Sequence, residues 1–383
     1  MNLVQARQRP APAGTVSTGL AGLSEAVVDL SAVRDNVRTF RRLTPHDVMA
    51  VVKADAFGHG AVPVARAAID AGATWLGVAR ADEALQLRAA GLTAPLLTWL
   101  YDAAELMLLG DMDVDVSVST VAELQRVASV PAVKNVHLKL DTGLHRAGST
   151  PDQWIELTRA AAHHEALGAL VVRGIWSHLS HGDDPHAVQS RKQLQLLRTG
   201  VVLARRAGLR PSTTHLANSA GAINLDAPDC DVIRIGAGLY GIDETGIGLR
   251  PAMRLMSKAF QVRRISAGEG VSYGHDFVAE RDTTVLLVPL GYADGIPRVA
   301  VEQASVLCRG VRMPVVGRIA MDQFVVDAGD LAVDPGEPVT IFGDGSHGEP
   351  TAKDWADWAG TIPHEIYCGI GTRVPRRYEE ATR

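Results

Sequence analysis

Short apolar, β-branched runs recur through the first 240 residues, and alanine-rich amphipathic stretches separate many of them. Near-continuous apolar runs are typical of strands covered on both faces, and strands that alternate with helices form a parallel sheet. Eight such units in about 220 residues match the size of a (β/α)8 barrel. We predict its strands over residues 48–54, 75–80, 94–100, 114–119, 135–141, 171–180, 213–218 and 230–236. A doubly wound open sheet is the alternative, but no G-x-G-x-x-G follows the first strand.

The pattern changes after residue 252. Valine-rich runs now follow one another with Gly/Pro turns and few helical stretches, which predicts a mainly antiparallel β domain. One short helix is predicted to begin after Thr351, with Asp354 at the capping-box position. The predicted fold is of the α/β class. Its parts are a flexible N-terminal extension (1–25), a TIM-type barrel (26–252) and a C-terminal β domain (253–383).

Composition and charge exclude several classes of function. The 383 residues are 46% hydrophobic and 21% charged, with a net charge of −5, so nothing favours binding to nucleic acid or to an anionic membrane. No apolar run approaches a membrane span, and the first 20 residues lack the continuous apolar core of a signal peptide. Three widely spaced cysteines are more typical of a reducing compartment than of a disulfide framework. We expect a cytoplasmic protein.

Polar groups collect where the predicted barrel strands end, which is where such barrels place their active sites. The stretch AVVKADAFGHG puts Lys53 at the end of a buried strand, where an ammonium group is costly unless it is paired or neutralised. Ser219, before a predicted helix, and the glycines around Ala237 both suit an anion. Together they indicate a phosphorylated cofactor held covalently by a lysine of lowered pKa. The strand-end set is Lys53, Asp141, Arg146, His178, Asn218, Ser219 and Arg234.

Eight motifs in chain order carry a family resemblance. They are AVVKADAFGHG, LKLDTGLHRAG, HLANSAG, VIRIGAGLYG, VSYGHDF, GYADGIPR, GRIAMDQ and RVPRRY. With these motifs the chain resembles the alanine racemases, pyridoxal-phosphate enzymes of the barrel type, from Ala26 to Tyr378. Any one motif would be a weak signal, whereas eight in the same order are not expected by chance.

The resemblance implies an activity, a cofactor and two catalytic bases. The activity is the interconversion of L-alanine and D-alanine with pyridoxal 5'-phosphate, which supplies D-alanine for cell-wall peptidoglycan. Lys53 would carry the cofactor and Tyr273 would be the second base, from the partner subunit of a head-to-tail homodimer with shared active sites. Arg234 would bond to the pyridine nitrogen, and Arg146 would contact the substrate carboxylate.

Further roles follow from matching the same motifs. The cofactor-binding positions would also include His178, Asn218, Ser219, Gly236, Ala237 and His364. Met321 and Asp322 would line the substrate pocket. Lys139 matches a position that relatives often carry as a carbamate, which props Arg146. The channel that leads to the site would be lined by Asp183, Tyr292 and Arg298.

Two positions depart from the family pattern. Phe57 stands where a phosphate-binding tyrosine is usual, and His364 replaces a second tyrosine near the C-terminus. His364 can still donate a hydrogen bond, whereas Phe57 cannot. We expect these two residues to alter cofactor affinity and the strictness for alanine.

Other functions stay open at the level of sequence. An altered entrance would suit a racemase of another small amino acid, such as serine. A barrel-type decarboxylase of basic amino acids uses an acidic partner on the pyridine nitrogen, and Arg234 argues against it. A non-catalytic pyridoxal-phosphate-binding protein resembles a lone barrel, and the β domain argues against that.

Two clusters of ionisable residues have simpler interpretations. The stretch HLSHGDDPH, residues 178–186, could hold a metal, but no helical i, i+4 pair or cysteine partner supports this, and we predict no metal. Asp82 and Glu83 sit at a predicted helix start, where they would interact with the helix dipole.

Overall fold

The computed structural model describes residues 22–227 and 229–380. The predicted extension lies largely outside the described residues, and its last two residues, Ser24 and Glu25, already belong to the first strand, β1 (Ser24–Asp29). The described chain forms an eight-stranded parallel sheet and a nine-stranded, mainly antiparallel sheet. This confirms the predicted α/β class, with a barrel followed by a β domain.

The parallel sheet contains all eight predicted barrel strands. They are β2 (Asp47–Val51), β3 (Trp75–Arg80), β4 (Leu96–Leu100), β5 (Asp115–Val118), β6 (Asn135–Lys139), β7 (Val171–Trp176), β8 (Thr213–His215) and β9 (Val232–Ile235). Their order is β8-β7-β6-β5-β4-β3-β2-β9. The amides of Asp231 and Arg234 donate to the carbonyls of Thr214 and Ala217, at 2.8 and 3.0 Å, and so join the two end strands. The sheet is therefore rolled into a nearly closed barrel.

Helices alternate with the barrel strands. They are α1 (Leu30–Leu43), α2 (Lys53–Phe57), α3 (Ala61–Asp70), α4 (Ala81–Ala89), α5 (Leu106–Asp111), α6 (Val121–Ala128), α7 (Pro151–Ala166), α8 (Val188–Arg206) and α9 (Gly221–Asn224). In α1 the residues Val33, Val37 and Phe40 are buried, which is the spacing of one helix face. Asp29 caps this helix by accepting the Ser31 N–H at 2.8 Å. Shorter 3-10 turns span Ala103–Glu105, Ala237–Tyr240, Tyr273–His275, Tyr292–Asp294 and Arg298–Glu302.

The β domain holds the remaining strands and two helices. They are β10 (Met253–Lys258), β11 (Gln261–Ile265), β12 (Gly270–Val271), β13 (Phe277–Val278), β14 (Thr283–Val288), β15 (Ser305–Cys308), β16 (Val311–Val316), β17 (Phe324–Gly329), β18 (Pro338–Phe342), α10 (Ala352–Ala359), α11 (Pro363–Gly369) and β19 (Arg376–Glu379). The order in the large sheet is β11-β14-β17-β16-β15-β18-β10-β1-β19. The predicted helix cap is confirmed, because Thr351 Oγ1 accepts the Asp354 N–H at 3.1 Å.

The first strand joins the two halves of the fold. β1 pairs antiparallel with β10 and parallel with β19, so the described chain starts in the large sheet before it enters the barrel. One apolar core cluster contains residues from both halves, including Val33 of α1 and Ile341 of β18. The division at residue 252 stays a proposal, with β1 as a strand that the β domain takes from the N-terminal segment. Within the described residues, no helix has both the length and the apolar character of a membrane span.

Candidate active site

A cavity of about 670 Å3 opens at the ends of the barrel strands. Its volume is that of a site for a small molecule. The predicted residues that line it are Lys53, Phe57, Lys139, Arg146, His178, Asn218, Ser219, Arg234, Gly236, Ala237 and His364. Four of them carry cationic side chains, whereas Glu244 is the carboxylate that shares the lining. The barrel cavity is therefore suited to an anionic ligand.

Lys53 follows β2 and begins a turn of left-handed backbone. Ala54, Asp55 and Ala56 have φ angles of 53°, 51° and 55° with ψ of 50°, 47° and 49°. Phe57 has a φ of 53°. These are the angles of a left-handed helix, which costs an L-residue roughly 1–2 kcal/mol. We call Ala54–Phe57 the left-handed turn. Because none of its residues is glycine, contacts from elsewhere must hold it.

Carboxylates from two places support the left-handed turn. The Glu83 Oε1 atom accepts the Ala54 N–H at 2.6 Å, and its Oε2 accepts the Ala79 N–H at 2.9 Å. Asp55 Oδ1 accepts the Ala61 N–H at 2.7 Å. Glu83 lies in the first turn of α4, as predicted. The sequence did not indicate that this carboxylate also reaches across to the backbone beside Lys53.

The Lys53 amine lies in a partly desolvated, positively charged environment. Its Nζ atom is 6.0 Å from the centroid of the Trp99 ring. Burial lowers the pKa of Lys53, and Arg146 and then Arg234 lower it further, while Glu83 opposes them. A lowered pKa increases the fraction of neutral amine at neutral pH, and the neutral amine is the nucleophile.

A chain of buried hydrogen bonds runs through the barrel from Arg234 to Asp115. Arg234 Nη1 lies 3.1 Å from His215 Nδ1, His215 Nε2 lies 3.0 Å from His137 Nδ1, and His137 Nε2 lies 3.1 Å from Asp115 Oδ2. A guanidinium only donates and a carboxylate only accepts, so each imidazole accepts at Nδ1 and donates from Nε2. All four side chains are buried. The chain therefore places a positive and a negative charge at opposite ends of two neutral histidines.

Sequence reasoning missed three members of this chain: Asp115, His137 and His215. Each stands in an apolar run that was predicted to be a barrel strand. A charged or polar side chain inside such a run must find a partner when it is buried. That mismatch was the available signal, but it does not identify which strands supply the partners.

The remaining contacts of Arg234 leave its Nε–H without a partner among the described residues. Its Nη2 donates to the carbonyls of Ser177 and Leu216 at 2.8 and 3.0 Å and lies 3.1 Å from His178 Nδ1. Its Nε makes no hydrogen bond to any residue that the structure describes, and the side chain lines the barrel cavity. Burial lowers the pKa of Arg234 to about 10, so the guanidinium stays charged at neutral pH. Its Nε–H is thus available to a ligand.

His178 is held as a neutral ring. Burial, followed by the charge of Arg234, lowers the pKa of His178 to about 3. Its Nδ1 accepts from Arg234, so Nε2 carries the proton. His178 therefore lies against Arg234 with its Nδ1 as the acceptor.

A second region of the barrel cavity surrounds Ser219. Its Oγ accepts the N–H groups of Gly236 and Gly238, both at 3.0 Å. Gly238 has to be glycine, because a Cβ there would lie 2.6 Å from the Phe40 ring. The N–H of Ala237 makes no hydrogen bond within residues 22–227 and 229–380, and His364 Nδ1 is buried without a partner. Unpaired polar atoms beside a hydroxyl fit a phosphate group.

The helix predicted after Ser219 contributes little to this region. Only one turn, α9, is present. The N–H of Gly221 at its start is taken by Asn218 Oδ1 at 2.9 Å. The prediction that a helix start after Ser219 offers the donors for an anion was therefore wrong. The available donors come instead from the backbone that follows β9.

The two departures from the family pattern lie side by side. The ring centroids of Phe57 and His364 are 5.5 Å apart, and both side chains line the barrel cavity. Burial lowers the pKa of His364, and the positive charge of Lys53 adds to this effect. A neutral imidazole therefore stands where the family resemblance implies a tyrosine hydroxyl.

Lys139 occupies the end of β6 inside the barrel cavity. Its Nζ lies 4.3 Å from the centroid of the Trp176 ring. Burial lowers the pKa of Lys139 to about 8, with further lowering by Arg234 and Arg146. Its amine is therefore more reactive than that of an exposed lysine.

Seven predicted residues do not line the barrel cavity: Asp141, Asp183, Tyr273, Tyr292, Arg298, Met321 and Asp322. Tyr273 is 70% exposed. The Met321 carbonyl accepts the Ala293 N–H at 2.9 Å, next to Tyr292. Ser272 Oγ donates to the Arg318 carbonyl at 2.7 Å, which joins the loop of Tyr273 to the loop of Met321. The predicted second base thus lies on an exposed surface of the β domain.

The loop of residues 178–186 makes its own hydrogen bonds. His181 Nδ1 lies 2.8 Å from Ser180 Oγ, and Asp184 Oδ1 accepts the His186 N–H at 2.8 Å. Among the residues described, three possible metal ligands come within 4.8 Å of one another elsewhere, at Asp344, His347 and Glu349. The Glu349 oxygens there accept the backbone N–H groups of Gly345 and His347.

Comparison with known families decides the class of this protein. The family described as alanine racemase, N-terminal domain, matches residues 28–244. The family described as alanine racemase, C-terminal domain, matches residues 252–378. The chain belongs to the alanine racemase family. The predicted family resemblance is confirmed.

Individual members of the alanine racemase family are similar over nearly the whole chain. An alanine racemase of Salinispora tropica is 45% identical over 93% of this chain and 98% of its own length. One of Mycolicibacterium smegmatis is 46% identical over 93% and 94%. The crystal structure of alanine racemase from D-cycloserine-producing Streptomyces lavendulae superposes with a TM-score of 0.91 at 43% identity, covering 95% of this chain and 98% of that one.

Proposed function

We propose that the protein is a pyridoxal-phosphate-dependent racemase that interconverts L-alanine and D-alanine in the cytoplasm and supplies D-alanine for peptidoglycan. The observation that carries the proposal is the position of Lys53, which faces a cationic cavity from the end of β2. Family membership favours alanine over serine as the substrate. The guanidinium of Arg234, where a decarboxylase would have a carboxylate, favours racemisation.

The free donors of the barrel cavity fit this cofactor. Lys53 would bind its aldehyde, and the Arg234 Nε–H would face its pyridine nitrogen. Ser219, the Ala237 N–H and His364 would face its phosphate, with Asn218, Gly236 and His178 beside them. Bound pyridoxal phosphate acidifies the α-proton of an amino acid by accepting negative charge into its ring.

Racemisation needs a base on each face of the α-carbon. The lowered pKa of Lys53 supports its Nζ as the proton acceptor on one face. We assign the other face to Tyr273 of a second subunit in a head-to-tail homodimer. Its 70% exposure supports this, because such a tyrosine is free to enter another subunit's cavity. Met321 and Asp322 would accompany it to the substrate, with Tyr292, Arg298 and Asp183 along the channel.

Two arginines would act on different groups, Arg146 on the substrate and Arg234 on the cofactor ring. Arg146, which is exposed and lines the barrel cavity, would bind the substrate carboxylate. Its positive charge would also stabilise a phenolate, since a free tyrosine titrates only near pH 10, about three units above neutrality. Arg234 keeps its own proton, because a guanidinium is not a useful acid. Arg234 would therefore leave the pyridine nitrogen unprotonated and limit the negative charge that a bound cofactor could accept, which would favour rapid return of the proton to the α-carbon.

Lys139 is proposed to react with carbon dioxide. Its ammonium group would first lose one proton to give the neutral amine. The amine would then form an N–C bond to CO2 and release a second proton, so that a carbamate anion replaces a cation. The lowered pKa of Lys139 supports this by supplying the neutral amine. The carbamate would then offset the positive charge of Arg146. A carbamate carbon resonance after exposure to 13C-labelled CO2, lost in Lys139→Ala, tests it.

The activity is tested by incubating the purified protein with a panel of L-amino acids and separating the products on a chiral column. We expect D-alanine as the main product and little D-serine. Borohydride reduction of the holoenzyme followed by peptide mass analysis should place the cofactor on Lys53. A product other than a D-amino acid, or cofactor attached elsewhere, contradicts the proposal.

A further inference from the structure

His59 lies just beyond the left-handed turn and is wholly buried. Its Nδ1 is 3.0 Å from the carbonyl oxygen of Ala56 and 3.0 Å from that of Phe57. Carbonyls only accept, so Nδ1 carries the proton and shares it between the two oxygens. One side chain therefore bonds two of the four peptide groups in the left-handed turn.

The second ring nitrogen of His59 makes no hydrogen bond, in the described part of the chain, that could explain why a histidine is buried here. Its Nε2 is buried and has no hydrogen-bond partner among the described residues. Burial lowers the pKa of His59 to about 4, so the ring stays neutral and offers one N–H. A buried nitrogen without a partner is unfavourable. The N–H to Ala56 and Phe57 is the contact that can justify an imidazole at this position.

Aromatic contacts fix the imidazole relative to the end of β2. The ring stacks on Tyr240, with centroids 4.6 Å apart and planes at 29°, and its centroid is 5.0 Å from that of Tyr367. The Tyr240 hydroxyl donates to the Val51 carbonyl at 2.9 Å, and Val51 ends β2. Lys53 is therefore bracketed by Tyr240, which bonds the backbone before it, and by His59, which bonds the backbone after it.

We propose that His59 is the positioning residue of Lys53: its Nδ1–H holds the left-handed turn and so fixes the backbone from which the lysine enters the barrel cavity. This inference rests on the proposed function, because it takes Lys53 as the residue that binds the cofactor. Without the shared N–H, the carbonyl of Phe57 loses its donor, and that of Ala56 keeps only the backbone N–H of His59, at 3.0 Å. The turn then relaxes towards ordinary backbone angles, and the lysine amine is spread over several positions.

Two substitutions test the contribution of the His59 N–H and that of its aromatic ring separately. His59→Asn keeps an N–H near the position of Nδ1 and loses the stacking on Tyr240. His59→Phe keeps the aromatic ring and loses the donor. Thr158→Val is a matched control, because it removes a buried hydroxyl that donates to the Trp154 carbonyl in α7, away from the turn.

Each variant is prepared without cofactor and mixed with pyridoxal 5'-phosphate. The recombination rate and the hydrogen exchange of amides 54–60 are measured, together with kcat and KM for alanine and the unfolding midpoint. We expect His59→Phe to recombine about tenfold more slowly, with faster exchange and a larger loss in kcat than change in KM. His59→Asn should recover most of the loss, and Thr158→Val should change the unfolding midpoint only.

Three results with the variants overturn the inference. Wild-type exchange and recombination in His59→Phe would do so, as would equal slowing in Thr158→Val. If His59→Phe does not fold, His59→Asn decides, because exchange more than about threefold faster than wild type would show that the N–H is not what holds the turn. Wild-type protein that takes no cofactor onto Lys53 overturns the proposed function as well, whereas normal attachment with an unaltered His59→Phe overturns this inference alone.

Discussion

Arg234 and Asp115 are the two ends of one buried hydrogen-bond chain, and two neutral histidines connect them. Asp115 is also 3.2 Å from Arg173 Nη1, at the far end of the chain from the barrel cavity. A guanidinium taken out of water needs a compensating charge. The carboxylate of Asp115 supplies part of that compensation through the intervening imidazoles.

Asp115→Asn should therefore impair a site that it does not touch. The amide can still accept from His137, but the negative charge is lost. Removing one partner of a buried ionic network costs about 3–5 kcal/mol, so we expect a clear loss in unfolding free energy and at least about a tenfold loss in kcat. The KM for alanine should change little. Asp152→Asn, an exposed position at the start of α7, is the control. Equal kcat in the two variants would show that the charge of Asp115 does not influence Arg234.

Stability should fall on mild acidification. The folded chain holds His59 and His178 with pKa values of about 4 and about 3, below the unfolded value of 6.5. Between those values the unfolded chain binds more protons, so the unfolding free energy decreases as the pH falls from about 6.5 to about 4. His59 alone accounts for about 3 kcal/mol of this loss. Urea unfolding at several pH values across this range tests the prediction. If the unfolding free energy of His59→Asn depends on pH as steeply as that of the wild type, the contribution of His59 is contradicted.

The pair of Phe57 and His364 should weaken the hold on the cofactor phosphate. The Phe57 Cζ lies 3.5 Å from the place of a Cβ at Gly236, so a hydroxyl on Cζ would lie beside Gly236. A hydrogen bond to a charged group contributes about 1.5–3 kcal/mol, which is about tenfold or more in affinity. We expect Phe57→Tyr to retain pyridoxal phosphate longer during dialysis. Phe260→Tyr, at a 55% exposed position, is the control.

If Phe57→Tyr loses pyridoxal phosphate as fast as the wild type or faster, the prediction is contradicted. That result would show that the phosphate region is already complete around Phe57. His364→Tyr should then be the variant that changes turnover or substrate preference, because its ring faces the same cavity.

The sequence predicted the barrel because its signal is local. Each strand from β2 to β9 overlaps an apolar run, and Lys53 follows directly on one of them. The pairing of β1 with β10 and β19 was not predicted, because an apolar run of six residues does not identify its partner strands. The left-handed turn was also missed, since no glycine occupies Ala54–Phe57 to mark it.

The candidate site, like the fold, was predicted from the sequence only in part. Residues at strand ends, such as Lys53 and Arg234, were predicted to collect at one place, and both line the barrel cavity. The chain through His137 and His215 was not predicted, because strand order in space decides which buried polar groups touch. Tyr273 could be named from its motif alone. Within the described residues, nothing explains why this side chain is exposed. Contact with the proposed partner subunit would explain it.

One active site is proposed to take Lys53 from one subunit and Tyr273 from its partner. Lys53→Ala and Tyr273→Phe subunits, each inactive by itself, can be unfolded together and refolded as mixed dimers. Half of randomly formed dimers are hybrids, and each hybrid has one intact site, so alanine racemisation should return to about a quarter of the wild-type rate. Mixed dimers no more active than the separate variants would contradict the claim, because both bases would then have to come from the same chain.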